Sequence, residues 1–181
     1  KVVTWKGIEG KKQIGSFSDG GHHHYYLSGD LQMPDGAAQM LNLDDTKFCL
    51  HLNGKNLIHG GIYAGGSDTV LNILGKGNVI YTGNSNPGLQ AADDAKLNLL
   101  GGTYSVEGDA QAQETPVISA EGNVSLNNTQ VLGRVEIRGN PMKLDGATKI
   151  DNIYVGNDGK LNLADSWNGT ASAAFENPFI G

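Results

Sequence analysis

This sequence predicts an all-β fold, a parallel β-helix of about seven coils, and three observations point there. An apolar-polar-apolar triplet recurs seven times, with spacings of 19, 21, 26, 27, 18 and 19 residues. A residue type that tolerates positive φ stands two positions after most triplets, and a further apolar residue stands five or six positions after them. Self-similarity at this period marks a solenoid, because each repeat buries its apolar face only against its neighbours.

The triplets are Leu31-Gln32-Met33, Leu50-His51-Leu52, Leu71-Asn72-Ile73, Leu97-Asn98-Leu99, Val124-Ser125-Leu126, Met142-Lys143-Leu144 and Leu161-Asn162-Leu163. Alternation of period two means strand. Stacked about 4.8 Å apart as parallel strands, their outer members form two internal ladders. Their middle members, from Gln32 and His51 to Asn162, form a polar outer strip. Gly54, Gly75, Gly101, Asn128 and Gly146 follow as corner residues. Leu57, Val79, Tyr104, Val131 and Ile150 then begin a second wall. Further strands are expected at Leu41-Leu43, Ile62-Tyr63, Val117-Ile118, Val135-Ile137 and Ile153-Val155. No window of ten residues carries a helical apolar stripe; Leu89 to Lys96, after Pro87-Gly88, reads as a loop turn. Residues 1–24 lack the pattern and are expected to cap or lead into the solenoid at 25–170. Within them Val2 to Trp5 and Ile14 to Phe17 are the capping candidates. Residues 171–181, with Phe175, Pro178 and Phe179, form the other cap or lead to a following domain. An antiparallel sandwich shares the short strands and the 27 glycines and 17 asparagines, but hairpins do not require one triplet-turn-apolar order in every repeat.

Charge and composition exclude several functions. The net charge of −6 with only two arginines, Arg134 and Arg138, offers no basic stripe for nucleic acid. No run approaches 18 apolar residues, so no transmembrane segment is expected. With Lys1 in place of an initiator Met and no signal-peptide pattern after it, an excised segment is expected. Cys49 has no second thiol to pair with.

Three segments carry a family resemblance: His24-Tyr25-Tyr26-Leu27-Ser28-Gly29-Asp30, Leu50-His51-Leu52-Asn53-Gly54-Lys55-Asn56-Leu57, and Ala95-Lys96-Leu97-Asn98-Leu99-Leu100-Gly101-Gly102-Thr103-Tyr104. Together they resemble the coils of pectate-lyase-like right-handed parallel β-helix domains in large surface or secreted proteins of Gram-positive gut and soil bacteria. The likeness covers roughly residues 24 to 165. It implies right-handed winding, export and a secreted or cell-surface location; its motifs are architectural and specify fold better than activity.

His22-His23-His24 are adjacent and cannot all face one ion, so a flexible approach to Tyr25 is expected; His51 and His59 read as surface histidines. Asp44-Asp45 and Asp93-Asp94 were tested against acid-base chemistry on polysaccharides, and Asp93-Asp94 has no arginine or histidine one coil away on its face. His59-Gly60-Gly61 departs from the Gly-His-Gly of the family's hydrolases. Asp151-Asn152 and Asn157-Asp158-Gly159 read as turns rather than calcium loops. Asn123, Asn127 and Asn168 head glycosylation sequons that matter only in a eukaryotic secretory pathway. Tyr63, Tyr81, Tyr154 and Trp167 can stack on sugars if they share an outer wall. No catalytic residue, metal ligand or cofactor is therefore expected, and Asn72, Asn98, Tyr63 and Trp167 are the ligand-binding candidates. The expected function is an exported scaffold or adhesin segment that holds a polysaccharide, a host or cell-surface glycan or a protein. The alternative is part of a polysaccharide lyase or glycoside hydrolase with catalytic residues partly outside this segment.

Overall fold

Alternating apolar residues on strands that stack in parallel must share one dry interior, and the chain closes that interior with three walls. A computed structural model describes residues 3–34, 40–83, 87–108 and 114–176. These residues hold nineteen strands and no helix, wound as a parallel β-solenoid of about seven turns.

The first wall stacks the start of β3 (His22–Gln32) with β5 (Lys47–His51), β8 (Val70–Leu74), β11 (Lys96–Leu100), β14 (Asn123–Asn127), β16 (Met142–Asp145) and β18 (Leu161–Leu163). The second continues through the end of β3, β6 (Asn56–His59), β9 (Asn78–Tyr81), β12 (Thr103–Val106) and the first parts of β15 (Gln130–Ile137), β17 (Lys149–Val155) and β19 (Thr170–Phe175). The third holds β2 (Gly15–Phe17), β4 (Leu41–Asp44), β7 (Ile62–Gly65), β10 (Leu89–Ala91), β13 (Ile118–Ala120) and the second parts of β15, β17 and β19. β1 (Lys6–Lys11) lies in parallel beside β3.

Each wall turns apolar columns inward. Phe48, Leu71, Leu97, Val124 and Met142 form one, and Leu50, Ile73, Leu99, Leu126 and Leu144 its neighbour; all are buried. Leu57, Val79, Tyr104, Val131 and Ile150 line the second wall, as the spacing after the triplets predicts, and Leu31 joins their column. Leu41, Ile62, Leu89, Ile118, Val135 and Ile153 line the third. Fully burying one such side chain contributes about 1.5–3 kcal/mol. The corner residues also stand as expected, with positive φ at Gly54, Gly75, Gly101, Asn128 and Gly146.

The first two triplets slip from the predicted register. β5 aligns Phe48 with Leu71 and Leu50 with Ile73, so the true triplet is Phe48-Cys49-Leu50, while Leu52 lies beyond the strand. Leu52 is nevertheless buried at the corner, and its apolar side chain imitates a ladder position. Leu31-Gln32 belongs to the second wall, opposite Leu57-Ile58. The coil intervals measured from Tyr25 through Leu50, Ile73, Leu99, Leu126, Leu144 and Leu163 are therefore 25, 23, 26, 27, 18 and 19 residues.

Other local expectations also change. Leu89-Gln90-Ala91 is a third-wall strand, because Leu89 and Ala91 supply its inward positions. His22, His23 and His24 are part of β3 instead of a flexible approach, paired with Lys47, Phe48 and Cys49. Leu163 ends its ladder 53% exposed, with no strand stacked beyond it among the described residues. At the other end Phe17 lies over the interior, its ring 5.4 Å from Phe48 and 4.4 Å from His23. Val2, Pro178 and Phe179 lie outside the described residues.

Candidate functional site: the outer face of the third wall

Where inward positions of a strand are apolar, the residues between them point to the outer side of the wall, although two of those on the third wall, Ser119 and Glu136, are covered by their neighbours and only 3% exposed. On the third wall these are Asn42, Tyr63, Gln90, Ser119, Glu136 and Tyr154, one per coil and in register. Tyr63 and Tyr154 stand four strand steps apart, about 19 Å at the usual spacing. Amide, hydroxyl and carboxylate groups fill the steps between them.

The sequence explains how each group is held. Tyr63 reaches along its strand over Gly65, where a Cβ would come within 2.6 Å of the ring carbon Cε1. Glycine there lets the ring lie along the wall. Partial burial, and then the negative charges of Asp93, Asp44 and Glu121, push the Tyr63 pKa above its ordinary value of 10. Tyr154 is raised as well, by desolvation first, then by the charge of Glu176 and a hydrogen bond to it, and by the charge of Glu136; Arg138 opposes the shift.

Glu136 is only 3% exposed. An unpaired carboxylate there would be costly, and β15 answers with Arg134 and Arg138, two residues away on either side and hence on the same face. Arg138 Nε donates to Glu136 Oε2 at 2.8 Å, and Arg134 donates to Glu136 Oε1. Both arginines remain part-exposed, at 42% and 56% of their side chains. The Arg134 Nε–H is buried and has no hydrogen-bond partner.

The sequence-predicted candidates do not converge. Asn72 and Asn98 lie on the outside of the first wall, where Asn98 Nδ2 donates to Asn72 Oδ1 at 2.9 Å and Asn72 Nδ2 donates to Cys49 Sγ at 3.3 Å. They form a ladder that satisfies itself. The outer strip there keeps Asn72, Asn98, Ser125, Lys143 and Asn162, but Cys49 takes the place expected for His51. Trp167 is half-buried after β18, its Nε1 donating to Thr148 O at 3.2 Å. Tyr81 is buried beside His59, ring centroids 5.6 Å apart, and His59 is an interior residue instead of a surface one. Of the four aromatic candidates, Tyr63 and Tyr154 alone share an outer wall.

The aspartates serve turns. Asp93 Oδ2 accepts from Gly66 N at 3.3 Å, Asp45 Oδ1 from Asp68 N at 3.2 Å, and Asp94 Oδ1 from Asn140 Nδ2 at 3.3 Å. Among the described residues no three His, Cys, Asp or Glu side chains are placed to hold a metal ion. Gln90, Ser119 and Glu136 escape sequence reasoning as a site. The signal was present: Ile62-Tyr63-Ala64, Val135-Glu136-Ile137 and Ile153-Tyr154-Val155 each set a polar or aromatic residue between two inward ones. Aligning the third wall as the first was aligned would have joined them.

Compared with models of protein families, with curated proteins and with solved structures, the chain matches none.

Proposed function

We propose that this chain is a scaffold segment of an exported, pectate-lyase-like surface or secreted β-helix protein, and that its third wall holds a glycan without cleaving it. The observation that supports this best is the strip from Tyr63 to Tyr154, in which two part-exposed rings stand on either side of the outward Gln90 and of the part-exposed Arg134 and Arg138, with Ser119 and Glu136 buried between them on a regular lattice. Aromatic rings present large apolar faces to the C–H side of a sugar, and the polar groups between them exchange hydrogen bonds with hydroxyls. A polysaccharide laid along the solenoid axis would meet one coil's contribution every 4.8 Å or so. Glu136 supports binding over chemistry, since two arginines hold it and occupy both its oxygens.

The test is titration of the purified chain with pectins, xylans, mucin glycans and host glycans, together with assays for chain cleavage. Binding that weakens about tenfold in Tyr63→Ala and in Tyr154→Ala, roughly 1.4 kcal/mol each, with no products, is the expected result. New reducing ends or unsaturated uronates would overturn the non-catalytic reading, and unchanged binding in both variants would remove the strip.

A further inference from the structure

The coil interval falls from 27 residues to 18 at one point in the chain, and the cause is a lost loop. Between β12 and β13 the chain leaves the second wall at Glu107 and rejoins the third near Val117, whereas one coil later β15 crosses the same corner as one unbroken strand. It does so through a bulge: Val131 pairs with Ile150 and Arg134 with Asn152, so Leu132 and Gly133 together oppose Asp151. Bulges re-aim side chains and interrupt a ladder. Beside this short corner lies an open groove of about 940 Å³ whose lining among the described residues includes Ser105, Glu107, Leu132, Arg134, Asp151 and Asn152.

Three features of the groove suit a ligand. Its floor stays low because Gly133, at φ 132°, takes a conformation side chains rarely adopt, and a Cβ would meet Val117 Cγ2 at 2.9 Å. Leu132, 41% exposed, gives the floor an apolar patch. Arg134 also lines the groove with 42% of its side chain exposed, so the open part of its guanidinium can offer N–H donors.

We infer that this groove is a saccharide subsite selective for neutral, hydroxyl-rich sugar units over uronates and other anionic ones. The inference rests on the glycan reading of the third wall and names the class of glycan. Among the described residues, Glu107, Glu114 and Asp151 line the space with three carboxylates, while the one lining cation, Arg134, is already paired with Glu136. Carboxylates accept hydrogen bonds from sugar hydroxyls and repel a uronate, phosphate or sulfate. Leu132 offers a surface for a pyranose C–H face, and the exposed part of the Arg134 guanidinium a donor for a hydroxyl oxygen.

The experiment is calorimetric titration with neutral gluco-, xylo- and manno-oligosaccharides and with oligogalacturonate, on the wild type and three sets of variants. Leu132→Arg fills the groove; Glu107→Gln with Asp151→Asn removes two of its three carboxylate charges and tests the same point if Leu132→Arg fails to fold; Tyr63→Ala and Tyr154→Ala probe the wall. The expected result is wild-type preference for a neutral series, about tenfold weaker binding in Leu132→Arg, and a gain of oligogalacturonate binding in the charge-removal variant. Tighter wild-type binding of oligogalacturonate, or groove variants that behave as wild type, would overturn the inference. Loss in the tyrosine variants alone leaves the strip standing and the groove refuted. Loss in the groove variants alone supports the groove and refutes the strip, and no binding of any glycan refutes both.

Discussion

Protonating His59 should unfold this solenoid from within. His59 ends β6 on the inward side of the second wall, opposite Tyr81 in the next coil, and is fully buried, with no hydrogen-bond partner at Nδ1. Burial pushes its pKa down from 6.5 to about 3, because an imidazolium there would lose its hydration with nothing in return. The unfolded chain takes up the proton near 6.5 and the folded chain does not until about 3. Stability is therefore fully present above 6.5 and falls as pH drops from 6.5 toward 3. At pH 5 the folded state forgoes most of 1.5 pH units of proton binding, about 2 kcal/mol at 1.36 kcal/mol per unit. With a urea m-value of about 2 kcal/mol/M, the midpoint should drop by roughly 1 M between pH 7.5 and pH 5 from this residue alone. The assay is urea denaturation at both pH values for wild type and His59→Phe, which keeps a ring against Tyr81 but cannot titrate. Whatever the other groups contribute is common to the two proteins, so the difference between their pH-induced shifts isolates His59. Equal shifts would refute the reasoning, as would an NMR titration of the His59 ring with a midpoint near 6.5.

Two further predictions test the stacking. Leu99→Asp places a carboxylate in a ladder with Ile73 and Leu126 on either side and should cost several kcal/mol, while Asn98→Asp next to it loses the amide donor to Asn72 and should cost about 1 kcal/mol; equal melting temperatures would contradict the register. Gly77→Ala should cost more than a corner substitution in open space such as Gly54→Ala, because its Cβ would stand 2.5 Å from Lys55 O and 2.8 Å from Leu52 Cβ; thermal unfolding of the pair checks it, and similar losses would show that the backbone yields at Gly77.

Legibility of the fold followed the strength of its repetition. From Leu71 to Leu144 the first wall is alignable from sequence because the corner after each triplet is a glycine or Asn128, residues with no apolar side chain to confuse with a ladder position. The earlier coils lacked that guard. Leu52 occupies the corner where the next coil has Gly75, so Leu50-His51-Leu52 and Phe48-Cys49-Leu50 are equally good alternations, and a slip of two residues keeps every side chain on its proper face. Only the partner strand chooses between them. His59 reads as a surface residue when it is placed only by following the corner, whereas the alternation Leu57-Ile58-His59 sets it inward with Leu57.

The candidate site was harder to see because it depends on differences between coils instead of their likeness. A repeat-by-repeat alignment rewards what recurs and so drew attention to Asn72 and Asn98, whose side chains bond to one another and to Cys49. The groove and the Arg134–Glu136–Arg138 group arise where recurrence fails, at the 18-residue coil. The shortened interval was readable in the spacing of Leu126 and Leu144, and its consequence is geometric: with nearly constant wall lengths, the missing residues come out of a corner. A solenoid whose coils were all equal would present smooth walls and no concavity. Here one omitted loop makes the concavity, and it falls at the corner where Arg134 begins the outer face of the third wall.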